Sequence, residues 1–240
     1  MTWDWQVFLT DDGSGRTYLQ WMFSAWGWTL AVAGCSWVVA VTLGGLMGTL
    51  RTLPNSPWLV RLGTVWVEFF RNIPLLVQVF LWYFVVPKMF PAFKQVPSFI
   101  LVVFALGFFT SARIAEQVRA GIQALPKGQR FASMAMGFTT PQTYRYVILP
   151  MALRIILPPL TSESMNLLKN SSVAFAVSIA ELTMFAMQAQ EETSRGIEVY
   201  LAVTALYALS AFAVNRVFAF IEKKAQIPGF IVAGGTGGGH

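Results

Sequence analysis

From Trp21 to Leu50 the chain runs thirty residues without a charged side chain. About 20 apolar residues suffice for a helix to cross a bilayer, so this stretch predicts a long membrane-spanning helix. Its hydroxyls at Thr29, Ser36 and Thr42 can bond back to carbonyls of their own helix and do not argue against burial in lipid. The rest of the chain agrees. Hydrophobic residues make up 55% and charged residues 12%, with a mean hydropathy of +0.57, whereas a soluble domain carries about a quarter charged residues. Spanning segments must satisfy their own backbone hydrogen bonds, and the sequence predicts an all-α integral membrane protein.

Five spans follow from the hydropathy: residues 21–50, 58–86, 97–119, one starting near Met151, and 199–221. The fourth is unusual. Residues 151–170 hold Arg154, Pro158, Pro159, Glu163, Asn166, Lys169 and Asn170. Polar groups at membrane depth face a bundle interior or an aqueous path, so this helix is expected to face inward, with 174–187 as an apolar re-entry or short outer helix. Orientation follows the basic residues. If Gly128–Pro150 is cytoplasmic, its side holds Arg51, Arg61, Arg119, Lys127, Arg130, Arg145, Arg154, Lys223 and Lys224. The other side holds Arg16, Lys88, Lys94 and Arg195, nine against four. The N-terminus is then outside and the C-terminus inside, as an odd number of spans requires. The division is an outer segment 1–20, a transmembrane domain 21–224 containing a cytoplasmic segment 120–150 between spans three and four, and an inner tail 225–240 ending in the Gly-rich Gly234–His240. The polar, acidic start lacks a basic n-region and does not read as a signal peptide.

Several chemistries are excluded or disfavoured. There is no GxxxxGK[ST] segment for nucleotide phosphates. Cys35 is the sole cysteine and His240 the sole histidine, which removes histidine-based nucleophilic catalysis and makes a metal site improbable. No catalytic residue and no metal ligand is assigned. The net charge of +6 comes without a basic cluster interleaved with aromatics, so nucleic acid is not an expected partner.

The polar residues within the spans are the candidates for function. Glu163, Asn166 and Asn170 fall at i, i+3 and i+7 on one helix face, with Lys169 beside them and Ser171 and Ser172 continuing the run. They either line a path for a small polar solute or bond helices together. Arg113 and Glu116, at i and i+3, suggest a local ion pair. Arg71 precedes Pro74, which predicts a kink or break, and Arg71 either snorkels to the interface or faces an anionic solute. Gly44 and Gly48 form a GxxxG pair for close helix approach. Trp3, Trp5, Trp21, Trp26 and Trp28 are expected in an interfacial belt.

Gly128–Pro150, GQRFASMAMGFTTPQTYRYVILP, is too long and too patterned for a plain connector. It resembles the cytoplasmic coupling motif of ATP-binding-cassette importer permeases, E-A-A, three residues, Gly, then a spacer ending in I-L-P. Ala132, Ser133, Gly137 and Ile148-Leu149-Pro150 take the motif positions, and Phe131 stands where the motif has Glu. EFFRNIPLLVQ at 68–78, AEQVRAGIQALPKGQ at 115–129 and PPLTSESMNLLKNSSVA at 158–174 resemble further blocks of the polar amino-acid uptake family, together covering about 58–190.

The resemblance implies a type I ABC importer permease in the bacterial inner membrane, with no cofactor of its own. Its partners would be an ATPase dimer that binds ATP, a second permease subunit, related or identical, and a periplasmic amino-acid-binding protein. The cargo would be a polar amino acid, with glutamate or aspartate favoured. Arg130, Phe131, Ala132, Ser133, Gly137, Pro141, Arg145, Leu149 and Pro150 would form the ATPase-coupling set. Arg71, Gln78, Arg113, Glu163, Asn166, Lys169, Asn170 and Ser171 would line the substrate pathway, with Lys169, Arg71 and Arg113 as its cations. The competing reading is a subunit of an ATP-independent channel or secondary amino-acid carrier, in which Gly128–Pro150 is a simple loop.

Overall fold

A computed structural model describes residues 3–225, all-helical apart from turns and one isolated bridge between Asp11 and Thr17. The expected tail, including Gly234–His240, lies outside the described residues save for Ala225. The elements are α1 (Tyr18–Leu50), α2 (Pro57–Asn72), α3 (Leu75–Phe80) running through a π turn (Leu81–Val85) into α4 (Val86–Met89), α5 (Ser98–Gln123), α6 (Lys127–Ala135), α7 (Thr140–Thr143), a second π turn (Tyr144–Ile148), α8 (Leu149–Asn170), α9 (Leu182–Thr193) and α10 (Gly196–Ala225). Among these, α1, α5 and α10 are each long and apolar enough to span a membrane. Two bent pairs, Pro57–Asn72 with Leu75–Met89 and Thr140–Val177 with Leu182–Thr193, bring the count to five if each is one span.

The second span is broken at Pro74, where the sequence predicts a kink or break. It turns by 104° between α2 and α3. Pro74 lacks an N–H and forces the residue before it out of the helical region, and Ile73 is extended at φ −97°, ψ 129°. The break leaves carbonyls without helical donors. Buried Gln78 supplies them: its Nε2 donates to Phe70 O at 2.7 Å and to Ile73 O at 2.9 Å. The fourth span is bent by 53°. Its short 3-10 segment Ser171–Val177 ends at Ser178, a left-handed residue at φ 61°, and α9 then starts from Glu181, whose side chain accepts from the N–H groups of Thr183 and Met184.

α1 and α5 form the central pair. A Cβ on Gly44 would lie 2.7 Å from Ile114 Cβ, and one on Gly48 would lie 2.6 Å from Ala115 O. Only hydrogen fits at these points, so the GxxxG spacing serves contact within this chain. Val32, Val102, Ala105, Leu106 and Leu167 fill the mid-bundle core.

The end of the bundle where α1 begins is tied together by polar contacts. Thr17 and Gln20 form a capping box at the start of α1. Asp4 meets Arg195 at 3.2 Å, and its backbone N–H donates to Glu198 at 2.9 Å. Tyr18 donates to Glu192 at 2.7 Å. The expected tryptophan belt is divided. Trp3 and Trp5 are exposed and stacked, but Trp21 is buried edge-on against Phe185, because α9 folds back over the outer end of α1. Trp26 is half-buried and donates to Ser210 on α10. In the loop before α1, the hydrogen bond from Ser14 Oγ, with help from the Arg16 guanidinium, holds the Asp12 carboxyl down at about 2.

Candidate translocation site and coupling surface

α2, α5 and α8 line an open cavity of about 330 Å³ bordered by Arg71, Phe109, Arg113, Glu116, Gln117 and Glu163. That volume suits a small solute. Each polar wall residue arrives by local necessity. Arg71 lies in the last turn of α2, just before the proline break. Arg113, Glu116 and Gln117 occupy one turn of α5. Glu163 sits on the inward face of α8, and its side chain is only 8% exposed.

The ion pairs correct the expected local one. Arg113 and Glu116 do not pair with each other. Arg113 Nε lies 3.0 Å from Glu163 Oε2, joining α5 to α8. Glu116 instead gathers cations from three elements. Arg51 Nη1 from the C-terminus of α1 reaches it at 2.8 Å, Arg119 Nη2 at 2.9 Å, and Arg71 Nη1 at 3.8 Å. Four guanidiniums thus surround two carboxylates. Arg71 is held most loosely, with half of its side chain exposed. Buried Gln117 Oε1 has no hydrogen-bond partner among the described residues.

Of the eight residues expected along the pathway, the structure brings Arg71, Arg113 and Glu163 to this cavity. Gln78 is committed to the α2–α3 bend. Asn166 and Asn170 are half-buried higher on α8 and Lys169 is exposed there, while Ser171 is buried with its hydroxyl donating to Leu168 O. Sequence reasoning missed Gln117 on the cavity wall, and Arg51 and Arg119, which pair with Glu116 without lining the cavity. Arg51 and Arg119 had registered only as inner-side charges, and the one available signal was the block joining Glu116 and Arg119 at i and i+3.

The segment from Lys127 to Pro150 folds as α6, a turn, α7 and a π turn. Gly137 makes the turn at φ +87°, where a side chain would be strained. Thr139 caps α7 with Gln142, and Pro141 occupies its first turn. Phe131, Met134 and Met136 are at least half exposed, at 67%, 51% and 68%. Ala132 is also exposed, and Arg145 lies exposed over the Tyr146 ring. Ser133 faces inward instead: it is buried, donating to Arg130 O at 2.8 Å and meeting Thr143 Oγ1 at 3.1 Å. Arg130 is half-buried in a cleft of about 290 Å³ shared with Arg51, Thr52, Lys127 and Tyr144. Leu149 packs on the inner core cluster and Pro150 is exposed in the first turn of α8. The Tyr144 hydroxyl ties this segment to the bundle: it donates to Thr52 O, just past the end of α1, at 2.6 Å and lies 3.2 Å from Thr52 Oγ1.

Residues 40–227 match the family described as "Binding-protein-dependent transport system inner membrane component". The glutamate/aspartate import permease protein GltJ of Escherichia coli (strain K12) is 42% identical over 238 residues, covering 95% of this chain and 96% of that protein. The glutamine transport system permease protein GlnP of the same organism is 30% identical over 203 residues, covering 84% and 89%. Among solved structures, one described as "Crystal structure of an amino acid ABC transporter with histidines" superposes with a TM-score of 0.76 at 30% identity, over 93% of this chain and all of that one. An inward-facing MetNI methionine ABC transporter shares the fold, with a TM-score of 0.74 at 20% identity over 91% of this chain.

Proposed function

This chain belongs to the family of inner membrane components of binding-protein-dependent transport systems, and from that membership we propose that it carries glutamate or aspartate from periplasm to cytoplasm. It is a multi-pass inner membrane protein, an amino-acid ABC importer permease and not an enzyme. In the proposed assembly a second permease subunit completes the pathway, a periplasmic binding protein delivers the amino acid, and an ATPase dimer binds and hydrolyses ATP. The N-terminus is outside and the C-terminus inside.

The observation that carries the acidic substrate is the pair of guanidiniums on the cavity wall, Arg71 and Arg113, beside two carboxylates, one of which, Glu116, is already paired with Arg51 and Arg119. Buried or half-buried cations favour an anionic guest. Arg71 and Arg113 meet the substrate in the cavity, and Lys169 with Asn166 and Asn170 guides it from above. The likeness to a glutamate/aspartate permease supports the same substrate.

The Lys127–Pro150 segment is the proposed coupling element. Phe131 replaces the acid of the coupling motif, so the joint with the ATPase rests on apolar contact from Phe131, Met134 and Met136, with Ala132 beside them. Arg130 and Arg145 supply polar handles. Gly137, Pro141, Leu149 and Pro150 fix the shape, and Ser133 braces α6 against α7. Closure of the ATPases moves this segment, and Tyr144 passes the motion to α1. Rigid-body rocking of this kind suits a packed bundle with two discrete arrangements.

Reconstitution of the permeases, ATPase and binding protein in proteoliposomes tests the proposal. ATP-dependent accumulation of labelled glutamate or aspartate, absent without the ATPase, is the expected result. Accumulation of neutral or cationic amino acids alone would overturn the substrate, and accumulation without ATP would overturn the mechanism.

A further inference from the structure

The two carboxylates of the cavity are compensated very differently. Glu116 has three cations: Arg51 at 2.8 Å, Arg119 at 2.9 Å and Arg71 at 3.8 Å. Glu163 has one, Arg113, at 3.0 Å. Loss of any single arginine around Glu116 leaves two others in place. Loss of Arg113 leaves Glu163 with no cation within pairing distance among the described residues. Glu163 is also the more enclosed of the two, with its side chain 8% exposed against 24% for Glu116. A lone carboxylate so shielded from water demands a positive partner.

The Arg113 side chain, by contrast, is 45% exposed and lies on the cavity wall. One end of the pair is fixed in the protein and the other is open to whatever enters. An anionic amino acid meeting Glu163 alone would be repelled. Meeting the Arg113–Glu163 pair, it finds the carboxylate already neutralised and a guanidinium presented to the cavity.

We infer that Arg113 sets the sign of charge that the cavity accepts, by neutralising Glu163. Resting on the acidic-substrate reading above, this makes Arg113 a specificity-determining residue and Glu163 its latent opposite. Without Arg113, the guanidinium of a substrate arginine has the chemistry needed to take the vacated place beside Glu163. Arg71 does not substitute for Arg113, because it is turned toward Glu116.

The test measures ligand retained by the purified transporter itself, free of the binding protein, which carries its own selectivity. Equilibrium dialysis with labelled L-glutamate and L-arginine is run on the assembled permease–ATPase complex. The wild type retains glutamate over arginine. R113Q is expected to lose glutamate retention by roughly tenfold, as when one charge-assisted contact is removed, and to gain arginine. R113K keeps the charge and is expected to keep the glutamate preference. The double variant R113Q with E163Q loses the acquired arginine retention, because the carboxylate that held it is gone. A wild-type preference for glutamate that R113Q leaves unchanged would overturn this inference alone. So would loss of both ligands in R113Q, or an R113K that behaves like R113Q. A wild type that retains arginine over glutamate, or retains neither, would bring down the acidic-substrate reading and this inference with it.

Discussion

Gln78 shows how one side chain makes a broken span tolerable. Pro74 removes a helical donor at a sharp bend, and a carbonyl without a partner is costly in a membrane. The Gln78 amide meets two such carbonyls. Gln78→Leu keeps the volume and removes the donors, leaving Phe70 O and Ile73 O short of partners. A loss of about 1–3 kcal/mol follows from unsatisfied buried acceptors, visible as a lowered unfolding temperature of the purified permease. Lys169 is a residue of the opposite kind, exposed and without structural duty among the described contacts. Lys169→Met is therefore expected to leave thermal stability unchanged and to lower glutamate uptake roughly tenfold, the equivalent of about 1.4 kcal/mol. Unchanged uptake would remove Lys169 from the pathway.

At the scale of elements, the α1–α5 seam depends on missing side chains. Gly44→Leu would drive a branched side chain into Ile114 and the Ser111 carbonyl. Overpacking of this kind costs about 1–3 kcal/mol, and the expected readout is reduced yield of folded protein with a lower melting temperature. Much at this scale was legible in the sequence. A GxxxG spacing, a proline after Arg71 and a polar island between apolar spans each act over a few residues, so linear order suffices to see them. What crosses between elements was not legible. Arg51 and Glu116 lie 65 residues apart, and nothing in the helical period of either segment marks the other as a partner. The i, i+3 spacing of Arg113 and Glu116 even pointed the wrong way, because each found a better-placed charge on a neighbouring element. Trp21 misled for a similar reason: an outer-end tryptophan looks interfacial until α9 is folded over it. Within the Lys127–Pro150 segment, the exposed Phe131 offers a test of the joint. Phe131→Glu puts a charge into the apolar patch with Met134 and Met136 and is expected to lower the amount of ATPase that co-purifies, whereas Phe131→Leu is expected to retain it. Equal ATPase recovery from both would refute an apolar joint.

For the whole molecule, the inner and outer ends are built differently. At the inner end, a single tyrosine hydroxyl joins the Lys127–Pro150 segment to the foot of α1. Tyr144→Phe removes that bond while retaining the ring in its core cluster. The assembled transporter is then expected to hydrolyse ATP while moving less amino acid per ATP, measured as a lowered transport-to-hydrolysis ratio in proteoliposomes. A ratio equal to wild type would mean that force reaches the bundle by another route. At the outer end, Asp4 reaches both Arg195 and Glu198, so the first described turn is fastened to the start of the last helix. The described polypeptide is thereby closed into a hoop, with its seam at the rim. In the coupling proposed above, a rim fastened in this way would turn a push from below into a tilt of the helices beneath it.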